Sequence, residues 1–256
     1  MPQQLTFRAI APHDCQSLVA LYLRSFTDYE IEASIFVSPR IENYLQQLVA
    51  FPEAQREYSL WGAWDGDDLV GYVFGRALET SWHLNFLAVA PSHRRQGLGR
   101  KLYQFWLDAG ADRDYQDFTL DVAQDNSTAC NWYQSLGWNV AQNTWIYRRD
   151  FETAAADLDL NNGVQASALQ LRNWENAQAW QTCYGFSNFE IESRERRWKI
   201  ARLGEKYFRS GELLPHEIQE FLQRLDSSRM LLLNLQQPVP HWSEWKVWLR
   251  MTHSRA

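Results

Sequence analysis

The sequence predicts an α/β fold: a mixed β-sheet with helices on both faces, followed by a smaller, degenerate repeat of the same plan. Three observations carry this. Strand-like and helix-like runs alternate through the first 150 residues. An Asp-Gly turn joins two of the strands into a hairpin. A seven-residue stretch beginning at Phe26 is echoed at Phe186.

Leu5–Ile10 alternates apolar and polar residues as a first strand, and Pro12–Asp14 offers a helix start. Cys15–Phe26 then brings Leu18, Leu21 and Tyr22 to one helical face. A second helix follows Pro39, over Arg40–Val49. Tyr58–Trp64 and Leu69–Arg76 form the hairpin, turning at Asp65-Gly66-Asp67-Asp68. Trp82–Ala90 reads as a strand, Gly97–Ala109 as a helix and Phe118–Val122 as a strand. Ser127–Ser135 is a helix closed by Gly137, and Trp145–Arg149 a last strand.

Phe151–Gly163 is small, polar and Gly/Asn-terminated, as a linker would be. The expected organisation is a domain over 1–150, a linker over 151–163 and a second lobe over 164–256. The echo compares Phe26-Thr27-Asp28-Tyr29-Glu30-Ile31-Glu32 with Phe186-Ser187-Asn188-Phe189-Glu190-Ile191-Glu192. Each copy follows a strand-like and a helix-like run, and each half closes on a similar strand, at Trp145–Arg148 and Val247–Arg250. The second half therefore reads as a shortened copy of the first.

Composition bounds the function. With 45% hydrophobic and 22% charged residues, the 256-residue chain is of ordinary globular type, and its longest apolar runs are too short to span a bilayer. The first residues lack a basic flank ahead of an apolar core, so no secretory signal is expected. Cys15, Cys130 and Cys183, odd in number and far apart, predict reduced thiols in a cytoplasm and no zinc site. A net charge of −6 argues against a nucleic-acid surface. The acidic surplus falls in the first 150 residues, which points to a cationic substrate.

Two motifs carry chemistry. Leu84–Leu102 runs from an apolar strand through Pro91 into Arg94-Arg95-Gln96-Gly97-Leu98-Gly99-Arg100 and on into a helix. Such a loop gathers backbone N–H groups and guanidinium groups at a helix N-terminus, where a phosphate binds. Further on, Asn126, Ala129, Tyr133 and Gly137-Trp138 recur at spacings of 3, 4 and 4 on a helix that follows a strand.

Together, the Arg/Gln-x-x-Gly-x-Gly loop and the Asn-x-x-Ala-x-x-x-Tyr-x-x-x-Gly-aromatic helix resemble the GCN5-related N-acetyltransferase (GNAT) family over about residues 5–150. The resemblance implies a splayed sheet and acetyl-CoA as cosubstrate, with no metal. It assigns loop 94–100 to the coenzyme pyrophosphate, and the backbone of Leu87, Ala88 and Val89 to the pantetheine arm and thioester oxygen. Asn126 would hydrogen-bond the pantetheine, and Tyr133 would protonate the departing thiolate.

Family members that act on amines often carry a glutamate two residues before the thioester-binding segment. Here that position is Asn85, which is no base. His83 shares its strand face, and Glu79, Glu30 and Glu32 are other candidates. Without a strong base, activity should rise towards alkaline pH as the free amine becomes available. The segment after the first helix lines the acceptor side in this family. Here Asp28, Tyr29, Glu30 and Glu32, with Trp82 nearby, would hold an ammonium group. A diamine or polyamine is the expected substrate, with aminoglycosides second. A protein or aminoacyl-tRNA acceptor and a non-catalytic coenzyme A sensor are the competing classes. The second lobe lacks both motifs. Its Trp174, Trp180, Trp198, Trp242, Trp245 and Trp248 predict a core and an interface, hence a homodimer, while Glu190 and Glu192 are available to cover the acceptor cleft.

Overall fold

The computed structural model of the protein describes residues 5–52, 56–151 and 169–254. The chain forms two compact units that interleave along the sequence. Met1–Ile31, Glu42–Gln142 and Leu249–Ala256 make the first, and Glu32–Ile41 with Asn143–Trp248 the second. This differs from the expected break at 150: residues 32–41 and 143–150 group with the second unit, and 249–256 with the first. Of the linker expected at 151–163, only Phe151 is described, and it packs in the second unit's core. The rest of that segment lies outside the described residues.

In chain order the elements are β1 (Thr6–Ala9), α1 (Cys15–Ser25), α2 (Asp28–Glu32), α3 (Ile41–Val49), β2 (Tyr58–Asp65), β3 (Asp68–Ala77), β4 (Trp82–Val89), α4 (Leu98–Ala111), β5 (Asp117–Ala123), α5 (Ser127–Ser135) and β6 (Asn139–Arg149). There follow β7 (Gln170–Arg172), α6 (Trp174–Tyr184), β8 (Phe186–Glu192), β9 (Arg197–Leu203), β10 (Tyr207–Ser210), α7 (His216–Leu225), β11 (Met230–Leu235) and β12 (Lys246–Ser254). Each element expected in the first 150 residues is present. The short α2 is the addition.

The first unit's strands run in the order β1-β2-β3-β4-β5-β12. Pairing is antiparallel from β1 to β4 and parallel between β4 and β5. Alternate residues of β4 serve opposite faces. Phe86 meets the Tyr22 ring of α1 edge-on at 5.1 Å, whereas Leu87 and Val89 lie beneath the first turn of α4. Helix α4 buries Leu98, Leu102, Tyr103, Trp106 and Ala109, a continuous stripe at helical spacing. Its Trp106 presses on β3 at Gly75, where a Cβ would come within 2.2 Å of the indole, so only glycine fits.

The second unit repeats this topology. Its order β7-β8-β9-β10-β11-β6 mirrors β1-β2-β3-β4-β5-β12, and α6 follows β7 as α1 follows β1. Each repeat's final strand is thus built into the other's unit. The seven-residue echo is not structural. Asp28–Glu32 is helix α2, whereas Phe186–Glu192 is strand β8, paired with β7 and β9. The tryptophans divide: Trp198 is in the core, Trp174 and Trp242 pack against it, and Trp180 is 47% exposed.

Candidate active site

The site begins where β4 leaves β5. Three rungs join them, Trp82 to Phe118, His83 to Thr119 and Leu84 to Leu120, and there the pairing ends. From Asn85 to Val89 the strand pairs with β3 alone, through Phe86, Leu87, Ala88 and Val89. The register slips between Phe74 and Gly75, leaving Asn85 as the bulged residue. A bulge bends its strand, and this one turns β4 away from β5. Among the described residues, the edge of Leu87–Val89 that faces β5 is thereby left without a strand partner. Asn85 carries a buried Oδ1 with no hydrogen-bond partner.

The glycine loop continues from that strand. Arg94 donates from Nε to the Val89 carbonyl at 3.0 Å, and Gln96 to the Ser92 carbonyl at 3.0 Å, so the loop is tied to the end of β4. His93 is anchored between Ser92 and Asp65. Arg95 and Gly97 are both left-handed, at φ 62° and 79°, and Gly97 is the N-cap of α4. A Cβ on Gly97 would project into open space, and one on Gly99 would make only ordinary contacts at 3.8 Å. Packing therefore does not demand glycine at 99, and the room beside it is available to a ligand. The helix end supplies N–H groups and partial positive charge, and Arg95, Arg100 and Lys101 are near it in sequence. These residues suit a diphosphate.

Across the divergence stands α5. Asn126 caps it, accepting from the Ala129 N–H at 3.1 Å, which leaves its amide N–H2 for another partner. Tyr133 is 8% exposed, ringed by Trp132 and Trp138, and burial raises its hydroxyl above the ordinary range. It keeps its proton at neutral pH.

On the α1 face sits a polar row that sequence reasoning grasped only at His83. The imidazole is 6% exposed, its Nδ1 3.0 Å from the Thr119 hydroxyl, which in turn lies 3.2 Å from that of Ser81. Its Nε2 lies 3.9 Å from Asp121 Oδ2. Arg250, on β12, donates from Nε and Nη2 to the two oxygens of Asp121, the second at 2.8 Å. Burial pulls the His83 pKa down to about 4, with Arg250 and Arg76 pushing the same way against Asp121. The ring is neutral at physiological pH. The alternation of Thr119 and Asp121 against buried Phe118, Leu120 and Val122 was a signal for two of these residues. Nothing local announced Arg250.

Three of the expected acceptor residues, Trp82, Glu30 and Glu32, are engaged with other partners. Trp82 is fully buried, its indole N–H donating to the Trp106 carbonyl at 3.0 Å, so it belongs to the core. Glu30 turns back to Thr27, accepting from its N–H at 2.8 Å and its hydroxyl at 2.9 Å, and closes the first turn of α2. Glu32 belongs to the second unit, where it accepts from Lys206 at 2.6 Å and Tyr207 at 2.7 Å. Asp28 is exposed and Tyr29 half-buried on α2. Glu190 and Glu192 are paired with Arg197, and Glu192 with Arg172, within their own unit. In the second unit all four residues of β10 pair with β11, so the two strands do not diverge there.

Comparison with known proteins agrees with this geometry. Residues 17–138, just under half of the chain, match the acetyltransferase (GNAT) family model. Mycothiol acetyltransferase of Corynebacterium efficiens is 28% identical over 95 residues, which is 37% of this chain and 32% of that one. The [ribosomal protein bS18]-alanine N-acetyltransferase of Escherichia coli is 40% identical over 55 residues, 22% of this chain and 37% of that one. The chain thus spans about a third of the length of these relatives. A tandem GNAT protein from the clavulanic acid biosynthesis pathway shares the fold, with a TM-score of 0.63 over 98% of both chains at 14% identity.

Proposed function

We propose that the first unit transfers the acetyl group of acetyl-CoA to a primary amine. The observation that carries this reading is the parting of β4 from β5 beside a glycine loop at a helix N-terminus. Loop 94–100 holds the pyrophosphate, the unpaired edge of Leu87–Val89 takes the pantetheine arm and the thioester oxygen, and the Asn126 amide donates to the pantetheine. The neutral amine attacks the thioester carbon, the C–S bond breaks, and the Tyr133 hydroxyl delivers its proton to the departing thiolate. The amine's surplus proton passes by way of His83 to solvent, and solvent returns a proton to the Tyr133 oxygen, so the step is proton-neutral.

Two acceptor classes follow. The acidic surplus of residues 1–150 and the exposed Asp28 favour a small cationic amine, a diamine or polyamine. The low pKa of His83 favours a second class, an α-amino group such as a peptide N-terminus. An α-amine, with a pKa of about 8, is partly neutral at pH 7, whereas an alkylamine near pKa 10.4 is almost wholly protonated and needs a stronger base. Thiol release from acetyl-CoA, screened against diamines, polyamines, aminoglycosides, amino acids and an alanine-terminated peptide, tests the reading. Release with none of them, despite acetyl-CoA binding, would leave a coenzyme A sensor in its place. With a diamine the rate should climb towards alkaline pH; with an α-amine it should level off near pH 8.

A further inference from the structure

Asp121 is the first residue of β5 beyond the last rung with β4, so its carboxylate stands at the mouth of the divergence. Its Oδ2 and the His83 Nε2 are 3.9 Å apart, too far for a direct hydrogen bond. The ring is held from its other side by Thr119. When Thr119 accepts from Nδ1–H, Nε2 presents a lone pair, and two acceptors then face one gap. A water or an amine N–H2 group fits such a gap, about 2.9 Å from each.

What fixes the carboxylate is Arg250, through a fork of two parallel hydrogen bonds that sets the plane of the carboxylate as well as its place. His83, Asp121 and Arg250 all belong to the first unit, although Arg250 lies 129 residues beyond Asp121. Its strand is itself anchored there. Ser254 donates to Asp117 at 2.8 Å, and the His253 ring stacks on Trp138 at 5.5 Å.

We propose that Arg250 is a positioning residue of the acetyl-transfer site: it orients Asp121 so that the carboxylate and the His83 Nε2 together hold the attacking amine. The final strand of the second repeat thereby completes the site of the first unit. This rests on the acetyltransferase reading and deepens it. The charged groups that face His83 are Arg76 from β3, Asp121 from β5 and Arg250 from β12, and they give the test its direction.

The test uses the full chain as Arg250→Gln, Arg250→Lys and Asp121→Asn. The His83 imidazole is titrated by NMR without substrate. Arg250→Gln removes a charge that holds the imidazolium down, so the His83 midpoint should rise. Asp121→Asn removes the charge that holds it up, so the midpoint should fall. Arg250→Lys should stay nearer wild type. With 1,4-diaminobutane or an alanine-terminated peptide, whichever turns over, Arg250→Gln should lower kcat/KM for the amine about tenfold. The acid limb of its pH profile should move with the imidazole, and the KM for acetyl-CoA should stay within about twofold. An Arg250→Gln protein that binds acetyl-CoA and keeps the wild-type His83 titration overturns the proposal. Absence of thiol release from the wild type would sink the acetyltransferase reading instead, while the substrate-free titration still decides whether Arg250 governs His83.

Discussion

Leu84 and Leu120 form the last rung between β4 and β5. On one side of that pair the sheet is an ordinary parallel ladder. On the other, β4 has given up a partner, and every residue assigned here to acetyl transfer lies on, beside or across the resulting gap.

Tyr133→Phe removes one oxygen from a ring already packed against Trp132 and Trp138. The fold should be unaffected. Loss of the proposed proton donor should lower kcat by about 100-fold. Steady-state thiol release beside acetyl-CoA calorimetry checks both parts, and an unchanged kcat would remove Tyr133 from the chemistry.

Gly97→Ala places a Cβ on a left-handed residue at φ 79°. Open space surrounds the new carbon, so the cost is conformational, about 1 kcal/mol. The urea midpoint should fall modestly. Any larger loss should appear as weakened acetyl-CoA binding, because the proposed pyrophosphate cradle includes the cap of α4.

His83 should make the protein sensitive to mild acid. Its pKa falls from 6.5 to about 4 on folding, so between these values the unfolded chain takes up a proton that the folded chain refuses. Stability is complete above the unfolded pKa, declines as pH drops through the window, and stops declining near pH 4. Between pH 7 and pH 5 the loss should be about 2 kcal/mol. Urea unfolding at the two pH values, compared with His83→Gln, isolates this contribution. A variant that loses as much as wild type would show that another group is responsible.

Glu32→Gln weakens a contact with Lys206, Tyr207 and Arg148 within the second unit. Lys206 and Arg148 are each about two-fifths exposed, which holds the expected destabilisation to about 1 kcal/mol. The amine KM should not change. A large rise in KM would return Glu32 to the acceptor site.

Local patterns made the first unit legible. The hairpin turn, the apolar stripe of α4, and the Asn126 cap with Gly137 each fix structure within a few residues, and these elements stand where expected. Trp82, Glu30 and Glu32 have partners that the sequence did not show, because identity of residue type does not settle direction. Glu30 has a cap to close three residues away, and Trp82 has Trp106 beneath it. The echo at Phe26 and Phe186 misled for a related reason. An aromatic-acidic alternation serves a strand in β8, where every second side chain is buried, but the same letters can wind into a single helical turn after α1. Arg250 lay beyond local reading altogether, because its partner is specified by sheet order.

The placement of β12 beside β5 also governs how the protein can assemble. Asp121 and Arg250 are 129 residues apart in sequence, and a sheet closed by so distant a strand has a long loop to order before it gains its last contacts. Such non-local pairing slows folding. During synthesis the glycine loop and α5 emerge well before the strand that braces the mouth of their cleft. Until the second repeat has been made, β5 has no β12 to pair with. Cutting the chain between the repeats would yield a piece with a coenzyme cradle and an exposed, unpaired strand edge prone to association.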